Sequence, residues 1–333
     1  MKEGALVVTA PFPQRSRAIV AEELEGVAEA VYLADVAEEG RASLLSRAAV
    51  LLSYDTAVEL RPAEFPLLEN LRLIQFTSAG IDWVPLRGLP PAVAVASNAG
   101  ATAEPMAEHV LALALAAAKR LFVEHANLKA GEFNQFTRNR MLRGGTCGIL
   151  GFGGVGKEAA RLLAAFGMRI LAINRSGESH EESLSQTGGW VGTLARLDEL
   201  LDSSDLLLVS LALTPATLGV IGARQLARMK EDAILVNVSR GEIIDEKALY
   251  EHLLAHPKFT ACIDAWWVEP VRHRRFEMTY PFLDLANVIA SPHNSAGGGV
   301  WRETSLRRAL ANCRRVLTGQ KPLHLLPPEE RMM

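Results

Sequence analysis

Three residues at the ends of apolar runs carry complementary chemistry. They are Arg240 in Val236-Asn-Val-Ser-Arg-Gly-Glu242, Glu269 in Asp264-Ala-Trp-Trp-Val-Glu-Pro270, and His293 in Ser291-Pro-His-Asn-Ser-Ala-Gly297. A guanidinium grips a carboxylate in a two-pronged fork and polarises a neighbouring carbonyl. An imidazolium delivers a proton to an oxygen while hydride attacks the carbon. A carboxylate set against that imidazole orients it and favours its charged form. These are the types that reduction of a 2-oxo acid, or the reverse oxidation, asks for. Taken singly, each has a plainer role: a surface turn at Arg240-Gly241, a helix start at Glu269-Pro270, a loop histidine at Pro292-His293. Their placement at successive strand ends, downstream of a glycine turn, favours the chemical role.

That turn lies in Cys147-Gly-Ile-Leu-Gly-Phe-Gly-Gly-Val-Gly156, with glycines spaced G-x-G-x-x-G at 151, 153 and 156. The spacing alone is a weak signal. An apolar strand before it and an amphipathic helix after it (Lys157–Phe166) make it informative. Gly151 permits a tight turn, Gly153 lets the backbone approach a pyrophosphate, and Gly156 lets the helix pack against the strand. The helix N-terminus faces the negative charge. Gly151, Phe152, Gly153, Gly154, Val155 and Gly156 are therefore candidate cofactor contacts. An acidic residue roughly twenty positions on would bind the adenosine ribose 2′-hydroxyl. Here that strand ends Ile173-Asn174-Arg175-Ser176, without a carboxylate. A guanidinium with a hydroxyl beside it suits a 2′-phosphate, so NADP(H) is the expected cofactor, with NAD(H) still open. A solvated loop arginine is the plain alternative.

The elements that must position these groups read as two series of alternating strands and helices. In the first, Ala5–Thr9, Ala48–Ser53 and Leu71–Phe76 read as strands, and Arg15–Glu25 and Ser43–Arg47 as helical. The strand ending at Phe76 runs into a small-residue loop, Thr77-Ser78-Ala79-Gly80, at the place where open α/β sheets bind ligands. A long Ala- and Leu-rich helix follows, from about Glu104 to His125, with Pro105 in its first turn. The second series has strands at Thr146–Gly151, Met168–Asn174, Leu206–Leu211, Ala233–Val238, Thr260–Asp264 and Asn287–Ala290. The last helix, Trp301 to Leu317, can fold back onto the first series. The expected fold is α/β: two doubly wound parallel-sheet domains, Rossmann-like or flavodoxin-like, with a cleft between them. Residues 1–100 plus 292–333 form a discontinuous substrate domain, and residues 101–291 the dinucleotide domain inserted in it.

Composition narrows the alternatives. A net charge of −3 argues against a nucleic-acid partner. The three cysteines, Cys147, Cys262 and Cys313, show no metal-ligand spacing and read as buried thiols in a reducing compartment. No metal is expected. The longest apolar run, Val110–Ala118, is far short of the ~20 residues a membrane span needs, and Lys2 and Glu3 open a first strand rather than a signal peptide. The expected location is the cytoplasm, with no membrane partner.

In its ordered motifs the chain resembles the D-isomer-specific 2-hydroxyacid dehydrogenase family over nearly its full length. The matching stretches are Ser78-Ala-Gly-Ile-Asp82, Ala107-Glu-His109, Gly151–Gly156, Leu213-Thr-Pro-Ala-Thr217, Met229-Lys230, Asn237–Gly241, Asp264 with Glu269-Pro270, and Pro292-His293. The resemblance implies a hydride-transferring oxidoreductase acting on a small 2-oxo or 2-hydroxy acid. It makes His293 the proton donor, Glu269 its partner and Arg240 the substrate anchor. The backbone of Ala79 and Gly80, beside Ser78, would hold the substrate carboxylate, and Asp264 would meet the nicotinamide carboxamide. Ala212, Thr217 and Val238 would line the cofactor cleft, and the assembly would be a homodimer. The Asn174-Arg175-Ser176 tip is similar to that of NADPH-using glyoxylate and hydroxypyruvate reductases. Glu269 stands where formate dehydrogenases carry Gln, which argues against that branch. A D-lactate- or phosphite-type dehydrogenase, and a dinucleotide-sensing corepressor of the same fold, remain the alternatives; turnover separates enzyme from sensor. Trp266-Trp267 departs from the usual Val-Phe pair, which points to a reshaped pocket. The segment Val271–Tyr280 is longer than usual, and its run Arg272-His-Arg-Arg275 reads as a solvated loop before it reads as an anion attractor.

Overall fold

In the first half of the chain, short apolar runs buried on both faces become parallel strands, as such runs do when helices cover both sides. The computed structural model describes residues 5–331 apart from positions 87, 88, 91 and 298. Two compact units emerge, Met1–Thr102 with Gly298–Met333, and Ala103–Gly297.

The first unit holds β1 (Ala5–Val8), β2 (Ala30–Tyr32), β3 (Ala48–Ser53), β4 (Leu73–Phe76) and β5 (Ala94–Ala96), all parallel in the order β2-β1-β3-β4-β5. Alternate residues face opposite layers. Val7, Leu51 and Ile74 pack with Leu60, Phe65, Leu68 and Val84, whereas Leu6, Val50 and Leu52 pack with Leu24, Leu306, Leu310 and Cys313. The terminal helix Gly299–Leu317 thus completes the core of the first unit.

The second unit continues with β6 (Thr146–Leu150), β7 (Arg169–Ile173), β8 (Trp190–Gly192), β9 (Leu206–Val209), β10 (Ile234–Asn237), β11 (Thr260–Ile263) and β12 (Val288–Ala290). Its order is β12-β11-β10-β9-β6-β7-β8, again all parallel, so the winding reverses between β6 and β9. Ligands of such sheets bind beyond the carboxyl ends of the strands at that reversal. Small residues bring the helix Ala103–Ala118 close to the helix Gly154–Ala165, with Ala107, Val110, Ala114 and Ala117 in one core with Ala159, Ala160 and Leu163.

Two features differ from the sequence expectation. The helix expected from Glu104 to His125 is two helices, Ala103–Ala118 and Leu121–Lys129, because Arg120 takes a left-handed φ of 53°. Charge interrupts the apolar face there: Lys119 donates to the Arg140 carbonyl (2.8 Å) and Arg120 pairs with Glu124 (3.0 Å). Strands β2, β5 and β8 were not expected; each is a three-residue sheet edge, too short to show a period. All three cysteines are buried. Burial pushes their thiols upward, that of Cys262 to about 12, so none is a ready nucleophile. Among the described residues no helix is long and apolar enough to cross a membrane.

Candidate active site

The glycine turn joins β6 to the helix Gly154–Ala165, with Gly153 as its N-cap. Gly151 sits at φ 111°, where a side chain would be strained, and both its amide and that of Phe152 donate to the Ile173 carbonyl. The three glycines are needed for different reasons. A Cβ on Gly151 would lie 2.5 Å from the Ser210 carbonyl carbon, and one on Gly156 would lie 2.3 Å from the Gly151 oxygen. A Cβ on Gly153 would meet nothing within 4 Å. The protein itself requires the first and third glycines, whereas the space over Gly153 is open at a helix N-terminus, where an anion is favoured. That fits a dinucleotide pyrophosphate.

Beyond β7, Asn174 spends its side chain on its own loop. It donates to the Glu178 carbonyl (2.8 Å) and accepts from the Gly177 amide (2.7 Å) and the Ser176 hydroxyl (3.3 Å). This turn leaves Arg175 and Ser176 exposed at the strand tip. After β9, the Thr217 hydroxyl donates to the Ala212 carbonyl (2.8 Å) and accepts from the Thr214 amide (2.9 Å), fixing the Leu213–Thr217 turn. Val238 is buried just past β10.

Arg240, Glu269 and His293 follow β10, β11 and β12, three adjacent strands of the second unit. The imidazole Nδ1 of His293 lies 2.8 Å from both carboxylate oxygens of Glu269. Glu269 is 8% exposed at its side chain and His293 31%, so the acid is walled in while the base keeps an open edge. One carboxylate oxygen also accepts the Trp266 amide at 2.6 Å. Burial pushes the Glu269 carboxyl up, but the His293 hydrogen bond and charge, the Trp266 amide and the Arg240 guanidinium outweigh it and hold it below the ordinary value. The strand end carrying Arg240 is braced by Asn237, which donates to the Arg240 carbonyl (2.9 Å) and accepts from the Ser239 amide and hydroxyl. Arg240 Nη1 donates to the Ser239 carbonyl (2.8 Å).

His293 itself stands at φ 49°, a left-handed conformation unusual for a residue with a side chain. Asp264, fully buried, holds its loop: the carboxylate accepts the Ser291 hydroxyl (2.6 Å) and the amides of Asn294 (3.2 Å) and Ser295 (3.3 Å). Ser291 in turn lies 3.1 Å from Nε2 of His109. In the sequence His109 stands out only within Ala107-Glu-His109 and Ser291 only as a neighbour of His293; spacing alone does not show that 109, 264 and 291 meet. Both tryptophan indoles serve as braces, Trp266 donating to the Ser291 carbonyl (2.9 Å) and Trp267 to that of Ile244 (2.7 Å). In the first unit, Ser78, Ala79 and Gly80 follow β4, and the Ser78 hydroxyl is buried without a hydrogen-bond partner among the described residues.

The family described as D-isomer specific 2-hydroxyacid dehydrogenase, NAD binding domain, matches residues 111–295. The chain belongs to this family. It is an oxidoreductase family that uses a nicotinamide dinucleotide. A hydroxypyruvate reductase of Thermotoga maritima is 31% identical over 230 residues, 68% of this chain and 72% of the relative. A glyoxylate reductase of Korarchaeum cryptofilum is 30% identical over 274 residues, 80% and 79% of the two chains. Among solved structures, a D-isomer specific 2-hydroxyacid dehydrogenase of Xanthobacter autotrophicus Py2, in complex with NADPH and MES, aligns over 98% of both chains with a TM-score of 0.79 and 25% identity.

Proposed function

We propose that this dehydrogenase reduces a small 2-oxo acid to its D-2-hydroxy acid, preferring NADPH, with glyoxylate and hydroxypyruvate as substrates. The observation that carries the reading is the walled-in Glu269 carboxylate against the partly open His293 imidazole, on a loop held in a left-handed turn. The bound dinucleotide supplies the hydride. Glu269 receives the Nδ1–H of His293 and favours the charged ring, leaving Nε2 to give its proton to the developing alkoxide. Arg240 grips the substrate carboxylate and polarises the carbonyl. In the first unit, Ser78 and the backbone of Ala79 and Gly80 offer donors suited to a carboxylate, and the Ser78 hydroxyl is buried without a hydrogen-bond partner among the described residues. Asp264 reaches the nicotinamide side through the loop it clamps, and Arg175 with Ser176 takes the 2′-phosphate. The relatives' names support the substrate class, and the missing carboxylate at the β7 tip supports the phosphorylated cofactor. A homodimer is supported by the exposed apolar side chains Leu121, Phe122, Leu128, Phe133, Phe136 and Met141, gathered in one stretch of chain.

The test is turnover of glyoxylate, hydroxypyruvate and pyruvate with NADPH and with NADH, followed at the nicotinamide absorbance. Reduction of at least one acid, faster with NADPH, is expected, and His293→Ala should abolish it. Preference for NADH would overturn the Arg175 assignment; an active His293→Ala enzyme would overturn the mechanism.

A further inference from the structure

The turn that follows Glu269 contains a bonding arrangement that the reaction above does not use. The helical turn Pro270–His273 has Glu269 as its N-cap, and His273 folds its ring back over that residue. Nδ1 of His273 accepts the Glu269 amide hydrogen at 3.0 Å, while the His273 amide donates to the Glu269 carbonyl at 2.8 Å. A backbone N–H only donates, so Nδ1 carries its lone pair and the ring proton sits on Nε2. One residue thereby fixes both backbone groups of Glu269. The carboxylate at the other end of that side chain is fixed by the Trp266 amide and His293.

The same turn is fastened to its surroundings. Arg272 pairs with Glu242 at 2.6 Å, with the two side chains 14% and 21% exposed, and Glu242 lies two residues past Arg240. Phe276 sets its ring edge-on to Trp266 at 5.5 Å. The amide and hydroxyl of Thr279 both donate to the Glu246 carboxylate, at 3.0 and 2.8 Å. The segment Val271–Tyr280 is largely exposed, as a solvated charged loop would be, but Arg272 and His273 tie its first turn to Glu242 and Glu269.

The geometry points to His273 as a positioning residue for the Glu269–His293 pair. It touches no reacting atom; it sets the backbone from which the Glu269 carboxylate reaches the imidazole. This rests on reading Glu269 and His293 as the proton-transfer pair.

Two substitutions in the full-length enzyme separate positioning from packing. In His273→Asn the Oδ1 atom is bonded to Cγ as Nδ1 is, so it accepts the same amide hydrogen; His273→Leu fills the space and accepts nothing. With NADPH and glyoxylate or hydroxypyruvate, His273→Leu is expected to lose kcat on the order of tenfold or more, as small misplacements of catalytic groups do, while KM for NADPH stays put. His273→Asn should keep more than half of wild-type kcat. Nitrogen-15 spectra of labelled histidine should show the His273 proton on Nε2. Equal kcat in the Leu variant and the wild type, equal losses in both variants, or a proton on Nδ1 would each overturn the assignment. Should the Leu variant fail to fold, His273→Gln replaces it: its acceptor lies one bond farther out, so it should lose what Asn keeps, and equal activities of Gln and Asn overturn the proposal. Activity surviving in His293→Ala would instead sink the reading of the pair, whatever the His273 variants do.

Discussion

Two alanine substitutions three residues apart, Gly153→Ala and Gly156→Ala, should fail in opposite ways. A Cβ at Gly156 would lie 2.3 Å from the Gly151 carbonyl oxygen and 3.0 Å from Ile149 Cγ2. The first distance is about 1.1 Å short of ordinary contact, and the neighbour is backbone, so the helix must lift from β6. Overpacking of this kind costs about 1–3 kcal/mol, several degrees of melting temperature for a domain this size. Gly153 has φ −92° and ψ −154°, which alanine adopts, and its Cβ would meet nothing. The protein without cofactor should therefore melt as the wild type does. A pyrophosphate seated against Gly153 would be pushed off by the methyl group and lose a charge-assisted hydrogen bond, about 1.5–3 kcal/mol, or roughly tenfold to a hundredfold in Kd. Thermal melts with and without NADPH, alongside a fluorescence titration, give both quantities. Gly153→Ala binding NADPH as tightly as the wild type would refute the placement of the pyrophosphate. A Gly153→Ala protein that melts early without cofactor would refute the claim that the space is open.

Two other perturbations probe the acid–base pair. Gly241→Ala puts a Cβ 2.4 Å from the Trp266 carbonyl carbon and 2.5 Å from the Trp267 amide nitrogen, so Arg240 and Glu269 must part by about 1 Å; kcat should fall on the order of a hundredfold, and a loss under twofold would contradict this. Glu269 has its carboxyl held below the ordinary value in the folded state, so its stabilising contribution is full above the unfolded pKa and disappears as pH falls through the lower folded one. Urea unfolding of Glu269→Gln across the acid range should lack that component, and curves parallel to wild type would show that the carboxylate adds no pH-linked stability.

Strands of four or more residues buried on both faces were legible because their apolar runs end in Gly, Ser or Asp. Of the three-residue edges only β12 was legible; β2, β5 and β8 were not, since hydrogen bonding to one neighbour suffices to hold them. The G-x-G-x-x-G spacing marks the turn but does not show that Gly156 is required by its contact with Gly151 while the space over Gly153 is open. The run Arg272–Arg275 is only partly legible for a related reason. Charge density reads as solvation, and Arg274 and Arg275 do keep to the surface, but Arg272 turns inward to Glu242 and His273 to Glu269. What the sequence could not show of the tryptophan pair is that both N–H groups are taken by backbone carbonyls and that Trp267 stacks on Phe282 at 5.3 Å.

Asp264 and His293 entered as separate residues, one for the cofactor and one for the proton, but energetically they form one device. A fully buried carboxylate is costly unless donors surround it. Its three donors all come from the loop Ser291–Ser295, two of them backbone amides on the far side of His293. Those amides can reach the carboxylate because His293 takes its left-handed turn, a conformation that costs about 1–3 kcal/mol when left to itself. The solvation need of Asp264 thus offsets the backbone strain of His293, and the strain aims the imidazole at Glu269. Removing the Asp264 charge would free the loop to relax, and His293 would lose its aim without being touched.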